Sequence, residues 1–276
     1  MTVQEILRQE IKTLKEQKIE SPILKARIIL SSILNITKEE LILQENRILE
    51  DNIIREYKGK IEQLVKKQPL QYITNHQEFM KLDLYVNENV LIPRADTEIL
   101  VEEVIQICNL QYPDKCEILD LCTGSGAIGI AISKYTKNTH ISLLDISEEA
   151  LKISKQNAKR NNIRNIEFIN QNMFQNLRKD FDIIVSNPPY IKSNEIKNLQ
   201  KEVINEPKLA LDGGEDGLKF YKIIQKEAYK FIKKNGYLCL EIGYNQKEEV
   251  INLLQETRTV SYTHLRAHET HNDLVC

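Results

Sequence analysis

The sequence predicts an α/β protein, a doubly wound and mostly parallel sheet preceded by a small all-helical domain. Three observations carry this. From Glu117 onward, short apolar runs alternate with helical patterns, the mark of successive βα units. A glycine-rich turn, Gly124-Ser125-Gly126-Ala127-Ile128-Gly129, follows the first of these runs. Before residue 68 the apolar residues fall only at helical spacing.

In chain order, residues 1–67 read as the helical domain. Val3, Ile6, Leu7 and Ile11 are spaced for one helix face. Ser21-Pro22 has the pattern of an N-cap with proline at the first helical position, opening a helix through Leu34. Thr37-x-x-Glu40 is a capping box. A further amphipathic helix spans Asn52 to Lys67, ahead of Pro69. Residues 68–88 read as a hairpin linker, with strands Leu70–Ile73 and Glu78–Val86 around Thr74-Asn75-His76. Thr97 is placed to cap a helix to Cys108. The domain 89–256 then carries strands at Glu117–Leu121, Thr139–Asp145, Ile166–Ile169, Phe181–Ser186 and Tyr237–Ile242. Helices separate them, including one over Leu218–Lys233 and a last one over Gln246–Gln255.

The charge balance excludes some functions. Lys and Arg total 38 against 40 Asp and Glu, a net charge of −2. No basic field of the kind that grips a long polyphosphate is present, so direct binding of long nucleic acid is not expected. No apolar run approaches the ~20 residues of a membrane span. The N-terminus lacks the apolar core of a signal peptide. The five cysteines form no CxxC pair and read as reduced thiols of a cytoplasmic protein.

Residues 257–276 break the pattern. They contain neither Lys nor Ile and hold three of the five histidines, His264, His268 and His271. Ser261–Thr270 resembles translated sequencing-adapter DNA. The segment reads as a non-native tail replacing the natural C-terminus rather than as a metal site, and no metal is expected.

The first βα turn is the first candidate site. Strand Ile118–Leu121 runs into Cys122-Thr123-Gly124-Ser125-Gly126 and then a helix. Glycines there let backbone approach a ligand, and the helix N-terminus offers unpaired N–H groups. Asp145 ends the second strand roughly 20 residues on, where a carboxylate accepts ribose hydroxyls. Asp120 precedes the turn and either reaches a ligand ammonium or accepts loop N–H groups. Asn172 and Met173 follow the third strand, where a loop flanks an adenine. The glycine pattern alone fits dinucleotides and S-adenosylmethionine alike.

The second candidate is Asn187-Pro188-Pro189-Tyr190, directly after the strand Phe181–Ser186. This is the carboxyl edge of the sheet, where ligands bind. Two prolines fix the backbone and remove two donors. Asn187 Oδ1 and the Pro188 carbonyl are then acceptors for the two N–H bonds of a planar –NH2 group, and Tyr190 stacks on its plane. Holding a weakly nucleophilic nitrogen in line suits methyl transfer driven by positioning and desolvation.

Taken together, these motifs resemble the release-factor glutamine methyltransferases, the HemK/PrmC family. The resemblance covers the chain to about Gln255. Besides the two sites it rests on Pro69-Leu70-Gln71-Tyr72-Ile73, Leu91-Ile92-Pro93-Arg94 with Thr97-Glu98, Glu206-Pro207, Leu211-x-Gly213-Gly214-x-Asp216-Gly217-Leu218 and Leu240-Glu241-Ile242-Gly243. It implies a Rossmann-like class I methyltransferase fold and S-adenosylmethionine as cofactor. The implied cofactor site is Asp120, Cys122, Thr123, Gly124, Ser125, Gly126, Asp145, Asn172, Met173 and Asn187. Asn187, Pro188, Pro189 and Tyr190 would hold the glutamine of a Gly-Gly-Gln motif in class-1 peptide chain release factors, with Asn187, Pro188 and Tyr190 as catalytic residues. The helical domain would dock that substrate, and the protein is expected to be a monomer. Departures are Cys122 where glycine is usual, Asn172 where an acid is common and Ala95 where proline is common. The family's last two strands are expected to be missing. The alternatives are a methyltransferase for a nucleic-acid amine such as adenine N6, a non-catalytic protein retaining the fold, and a dinucleotide oxidoreductase, in which Asn-Pro-Pro-Tyr has no role.

Overall fold

The computed structural model describes residues 1–255, 264–266 and 272–275. The chain divides into two units, 1–76 with 200–205, and 77–199 with 206–276.

The first unit holds α1 (Val3–Glu16), α2 (Pro22–Leu34), α3 (Lys38–Leu43), α4 (Asp51–Val65) and α5 (Leu70–Thr74), joined by the short α9 (Lys201–Ile204). Its core is aliphatic: Val3, Ile6, Leu14, Ile29, Leu30 and Ile61 are buried together. Tyr57 joins them with its hydroxyl donating to the Ala26 carbonyl at 3.2 Å, the partner a buried phenol needs. Capping boxes close α1 at Thr2/Glu5 and α3 at Thr37/Glu40. Ser21, expected as a cap, makes no capping hydrogen bond; its φ of 50° is left-handed and aims the side chain elsewhere. Leu70–Ile73, expected as a strand, is α5. Tyr72 and Ile73 are buried there, and Ile73 packs into the helical core, so tertiary burial overrides the β-propensity of the run.

The second unit begins with the hairpin β1 (Gln77–Phe79) and β2 (Leu82–Leu84), turning at Met80-Lys81 rather than at Thr74–His76. Then come α6 (Asp96–Gln111), β3 (Cys116–Leu121), α7 (Ala127–Tyr135), β4 (Thr139–Asp145), α8 (Glu148–Arg160), β5 (Ile166–Asn170) and β6 (Phe181–Ser186). After α10 (Lys208–Leu211) and α11 (Lys219–Glu227), β7 (Ile232–Gly243) and α12 (Lys247–Gln255) follow. The helix expected to Lys233 stops at Glu227, and β7 starts five residues earlier than read from the sequence.

The sheet order is β5-β4-β3-β6-β7, all parallel. Successive strand residues face opposite sides. Ile118, Leu143, Ile183 and Cys239 pack with α6 and α7; Leu119, Leu144, Ile184 and Leu240 pack with α11 and α12. The chain starts in the middle at β3, winds outward to β5, then returns to β6. The switch point therefore lies between β3 and β6, the place where open α/β sheets bind ligands.

The expected loss of the last two strands needs correction. Short strands β8 (His264–Arg266) and β9 (Asn272–Val275) lie antiparallel at the β7 edge, with Leu240–Gly243 paired to Asn272–Val275. An unpaired edge accepts any following segment that can run beside it, because ladder bonds use backbone alone. His268 and His271 lie outside the described residues.

Candidate active site at the carboxyl edge of the sheet

Where β3 ends, the chain turns sharply. Cys122 sits at φ 61° and Gly124 at φ 55°, and Thr123 N–H donates to the Leu144 carbonyl at 3.0 Å. A Cβ on Gly124 would meet nothing within 4 Å. Its backbone is thus bare toward a cavity of about 270 Å³. Gly129 serves a different end: a Cβ there would lie 2.3 Å from Leu143 Cδ2, so its absence lets α7 lie directly on β4.

Asp120, one residue before the end of β3, is fully buried. Its Oδ2 accepts from Thr123 Oγ1 at 2.6 Å and Gly129 N–H at 3.0 Å, while Oδ1 has no partner among the described residues. Burial pushes its carboxyl up to about 7, with the two hydrogen bonds pulling against it. It does not line the cavity. Of its two candidate roles, the geometry supplies the brace beneath the glycine turn.

Asp145 does line the cavity. Its Oδ2 accepts from Gly124 N–H and its Oδ1 from Ser147 N–H, both at 2.9 Å. Burial raises its pKa and these backbone donors oppose the rise. Ser147 in turn caps α8, so one carboxylate ties the glycine turn to the start of the next helix. Asn172 and Met173 close the same side, and Met173 Sδ lies 3.8 Å from Cys122 Sγ.

Opposite them stands the end of β6. Ser186 Oγ donates to the Leu121 carbonyl at 2.6 Å, fastening β6 to β3 just before the tetrapeptide. Asn187 and Pro189 line the cavity, together with Cys122, Thr123, Gly124 and Ser125. Pro188 is buried and does not line it. Tyr190 packs into the core on the α11–α12 side, and its carbonyl accepts from Gln246 Nε2 at 3.0 Å. Gly126, Asp120, Pro188 and Tyr190 are thus the sequence-predicted residues outside the lining, the first two acting as supports of the turn.

Several lining residues were not assigned to a site from the sequence, although Leu91, Pro93 and Pro207 lie in motifs that carried the resemblance. Asn89–Leu91 and Pro93 form one wall, and Pro207, Leu209 and Phe220 another. Glu206 accepts from Ile92 N–H at 3.0 Å and pairs with Arg94, joining the two walls from behind. Thr97, expected to cap α6, lies within its first turn. Its hydroxyl donates to the buried Glu241 at 2.7 Å and lies 3.4 Å from Asn187 Nδ2. Among the described residues no acidic, His or Cys cluster suits a metal, and no helix is long and apolar enough to cross a membrane.

Known proteins are similar to this chain in sequence and in fold. Residues 5–74 match the PrmC N-terminal domain family and residues 96–227 the Methyltransferase small domain family. Among solved structures, the hMettl16 catalytic domain in complex with the MAT2A 3'UTR hairpin 6 aligns with a TM-score of 0.56 at 14% identity, over 82% of this chain and 81% of that one. The Thermus thermophilus 16S rRNA N2 G1207 methyltransferase, in complex with AdoMet and guanosine, aligns at 0.54 and 14% identity, over 72% and 48%. At that identity the likeness is one of fold, the class I methyltransferase fold. Sequence relatives are nearer. The release factor glutamine methyltransferase of Clostridium acetobutylicum is 39% identical over 266 residues, 95% of this chain and 93% of that protein. That of Fusobacterium nucleatum is 42% identical over 260 residues, 91% and 72%. With both domains matched in order and most of each relative's length spanned, the chain belongs to the release factor glutamine methyltransferase family.

Proposed function

We propose that this chain transfers a methyl group from S-adenosylmethionine to the side-chain amide nitrogen of the glutamine in the Gly-Gly-Gln motif of class-1 release factors. The observation that carries the reading is the position of Asn187. Its side chain enters the same cavity as the glycine turn and Asp145, from the opposite side of the switch point.

The residues present fit the cofactor. Gly124 leaves its backbone open to the cavity, suited to the methionyl part. Asp145 keeps unused lone pairs beside the two N–H bonds it accepts, suited to ribose hydroxyls. Ile146, Met173 and Asn172 offer apolar faces and an amide for the adenine. When bound, S-adenosylmethionine supplies an electrophilic methyl on a positively charged sulfur. The protein's part is positioning. Asn187 Oδ1 and the Pro188 carbonyl accept the two amide N–H bonds of the substrate, which turns the nitrogen toward the cofactor side. Tyr190, packed into the core and held at its carbonyl by Gln246, fixes the backbone of the tetrapeptide. Apolar walls from Val90, Leu91 and Phe220 exclude water that would compete for those acceptors. On the helical unit, exposed Ile23, Leu24 and Ile42 surround a shallow groove with Arg27 and Lys38, which supports its reading as the docking domain.

The test is methyl transfer from labelled S-adenosylmethionine to a purified class-1 release factor. Label is expected with the intact substrate and is absent when the Gly-Gly-Gln glutamine is alanine or the enzyme carries Asn187→Ala. Label on a different residue, or on nucleic acid alone, would overturn the substrate assignment.

A further inference from the structure

An asparagine amide presents either oxygen or nitrogen to a cavity, and the two ends are nearly equal in size. For Asn187 the choice decides everything, because only Oδ1 can accept an N–H from a substrate amide. We propose that Glu241 and Thr97 form a positioning relay that fixes the Asn187 amide with its nitrogen inward and its oxygen toward the cavity. The proposal deepens the methyltransferase reading and rests on it for its kinetic arm.

The relay is visible in the bonds. Thr97 Oγ1 donates its one proton to Glu241 Oε2 at 2.7 Å. Toward Asn187 Nδ2, 3.4 Å away, the same oxygen can then act only as an acceptor. An inward-facing Oδ1 would meet an oxygen with no proton to give and a carboxylate beside it. The backbone brings the parts together. Ser186 and Leu240 are the last residues paired between β6 and β7; Asn187 and Glu241 are the residues that follow, one just past the end of β6 and the other still within β7. Tyr221 fixes Glu241 from below, its hydroxyl donating to the Glu241 carbonyl at 2.9 Å. Glu241 is only 1% exposed, and its Oε1 has no hydrogen-bond partner among the described residues. Burying an unpaired carboxylate oxygen costs stability, so a hydrophobic residue would serve the fold better. Burial raises its pKa to about 7, while the Thr97 hydroxyl, the Asn187 amide and Arg94 hold it down and Asp96 raises it further.

Three variants test the relay: Glu241→Gln, Thr97→Val and Thr97→Ser. Glu241→Gln carries a donor at every pH, where the ionised Glu241 carboxylate offers only acceptors. It is expected to lower kcat by about 100-fold and Thr97→Val by about 10-fold, with KM for the release factor and cofactor affinity moving less than about threefold. Thr97→Ser keeps the hydroxyl and should recover most of the Thr97→Val loss. The second readout needs no turnover. In protein labelled with 15N-asparagine, the Asn187 side-chain N–H resonances, assigned through Asn187→Asp, should exchange with solvent faster in Glu241→Gln and Thr97→Val than in the parent. Unchanged exchange, or a kcat loss matched by lost cofactor binding, would overturn the relay. If the parent transfers no methyl to a release factor, the substrate reading fails, and the exchange arm alone decides the relay.

Discussion

The two units of this molecule bury different things. In the helical unit the buried polar side chains among the described residues are Glu10 and Ser31, and the Ser31 hydroxyl bonds locally to its own helix at the Arg27 carbonyl. In the sheet unit, Asp120, Asp145, Ser186, Glu206, Glu241 and Gln246 are all buried, gathered at the carboxyl ends of the strands. Two of these carboxylates keep an oxygen with no partner among the described residues. A domain that only had to fold would avoid that cost. The helical unit is built for packing; the sheet unit gives up stability around one cavity.

The sharpest way to separate them is a pair of truncations. Leu30→Ala empties a fully buried position of the helical core and should cost about 2–5 kcal/mol of stability. Asn187→Ala should leave thermal unfolding nearly unchanged while lowering transfer by roughly 10²–10³-fold. Thermal melts and labelled-methyl assays on both proteins check this. A large stability loss for Asn187→Ala would show that the tetrapeptide is structural.

Next in size is Gly129→Ala. The added Cβ would lie 2.3 Å from Leu143 Cδ2, 2.9 Å from Ile141 Cγ2 and 3.1 Å from Asp120 Oδ2. Overpacking of this kind costs about 1–3 kcal/mol, and pushing Asp120 moves the glycine turn. Calorimetry should show weaker cofactor binding as well as a lower melting temperature; unchanged binding would mean that the turn is not braced through Asp120.

A pH series gives a subtler contrast. Burial lifts Asp120 and Glu241 from ordinary values of 3.8 and 4.5 to about 7. Between those limits the folded chain holds protons that the unfolded chain has released, so these groups make stability fall as pH rises from about 4 to about 7 and stay level above it. A tenfold difference in proton affinity between the two states corresponds to about 1.4 kcal/mol. Glu117 acts oppositely: burial would raise it, but Lys115 and Lys179 bring it to about 2, so its contribution is lost only below the ordinary range. Measured between pH 5 and 8, Asp120→Asn and Glu241→Gln should each flatten the decline seen in the parent. An unaltered slope would mean that these carboxylates are solvated in the folded chain.

The same contrast explains what was legible in the sequence. Cys122–Gly126 and Asn187–Tyr190 could be read because each is contiguous and follows a strand. Asp145 could be read because a fixed βα unit separates it from the turn. The Thr97–Glu241–Asn187 relay could not, since its bonds span 144 and 90 residues and the motifs that hold its members do not say which of them meet. Asp120 was legible as a residue but not as a role, because only the burial of its carboxylate separates brace from ligand. Leu70–Ile73 misled for the opposite reason: a tyrosine and an isoleucine favour a strand locally, but both are buried on a short helix and Ile73 packs into the helical core.

The smallest expected effect tests whether the helical unit is as separate in energetics as in composition. Thr37 Oγ1 accepts from Glu40 N–H at 3.1 Å, and Glu40 Oε2 accepts from Thr37 N–H at 2.8 Å. The helix they open, α3, has only six residues, too few to hold itself without tertiary support and a cap. Thr37→Ala removes one bond of the reciprocal pair and should cost about 1 kcal/mol. Glu40→Gln, which keeps an oxygen acceptor at N3, should cost less. Neither change should alter cofactor affinity, because every group assigned to the cofactor belongs to the sheet unit. A shift in that affinity with Thr37→Ala would show that the packing of the helical unit reaches the cavity, and the division between a unit that packs and a unit that reacts would have to be redrawn.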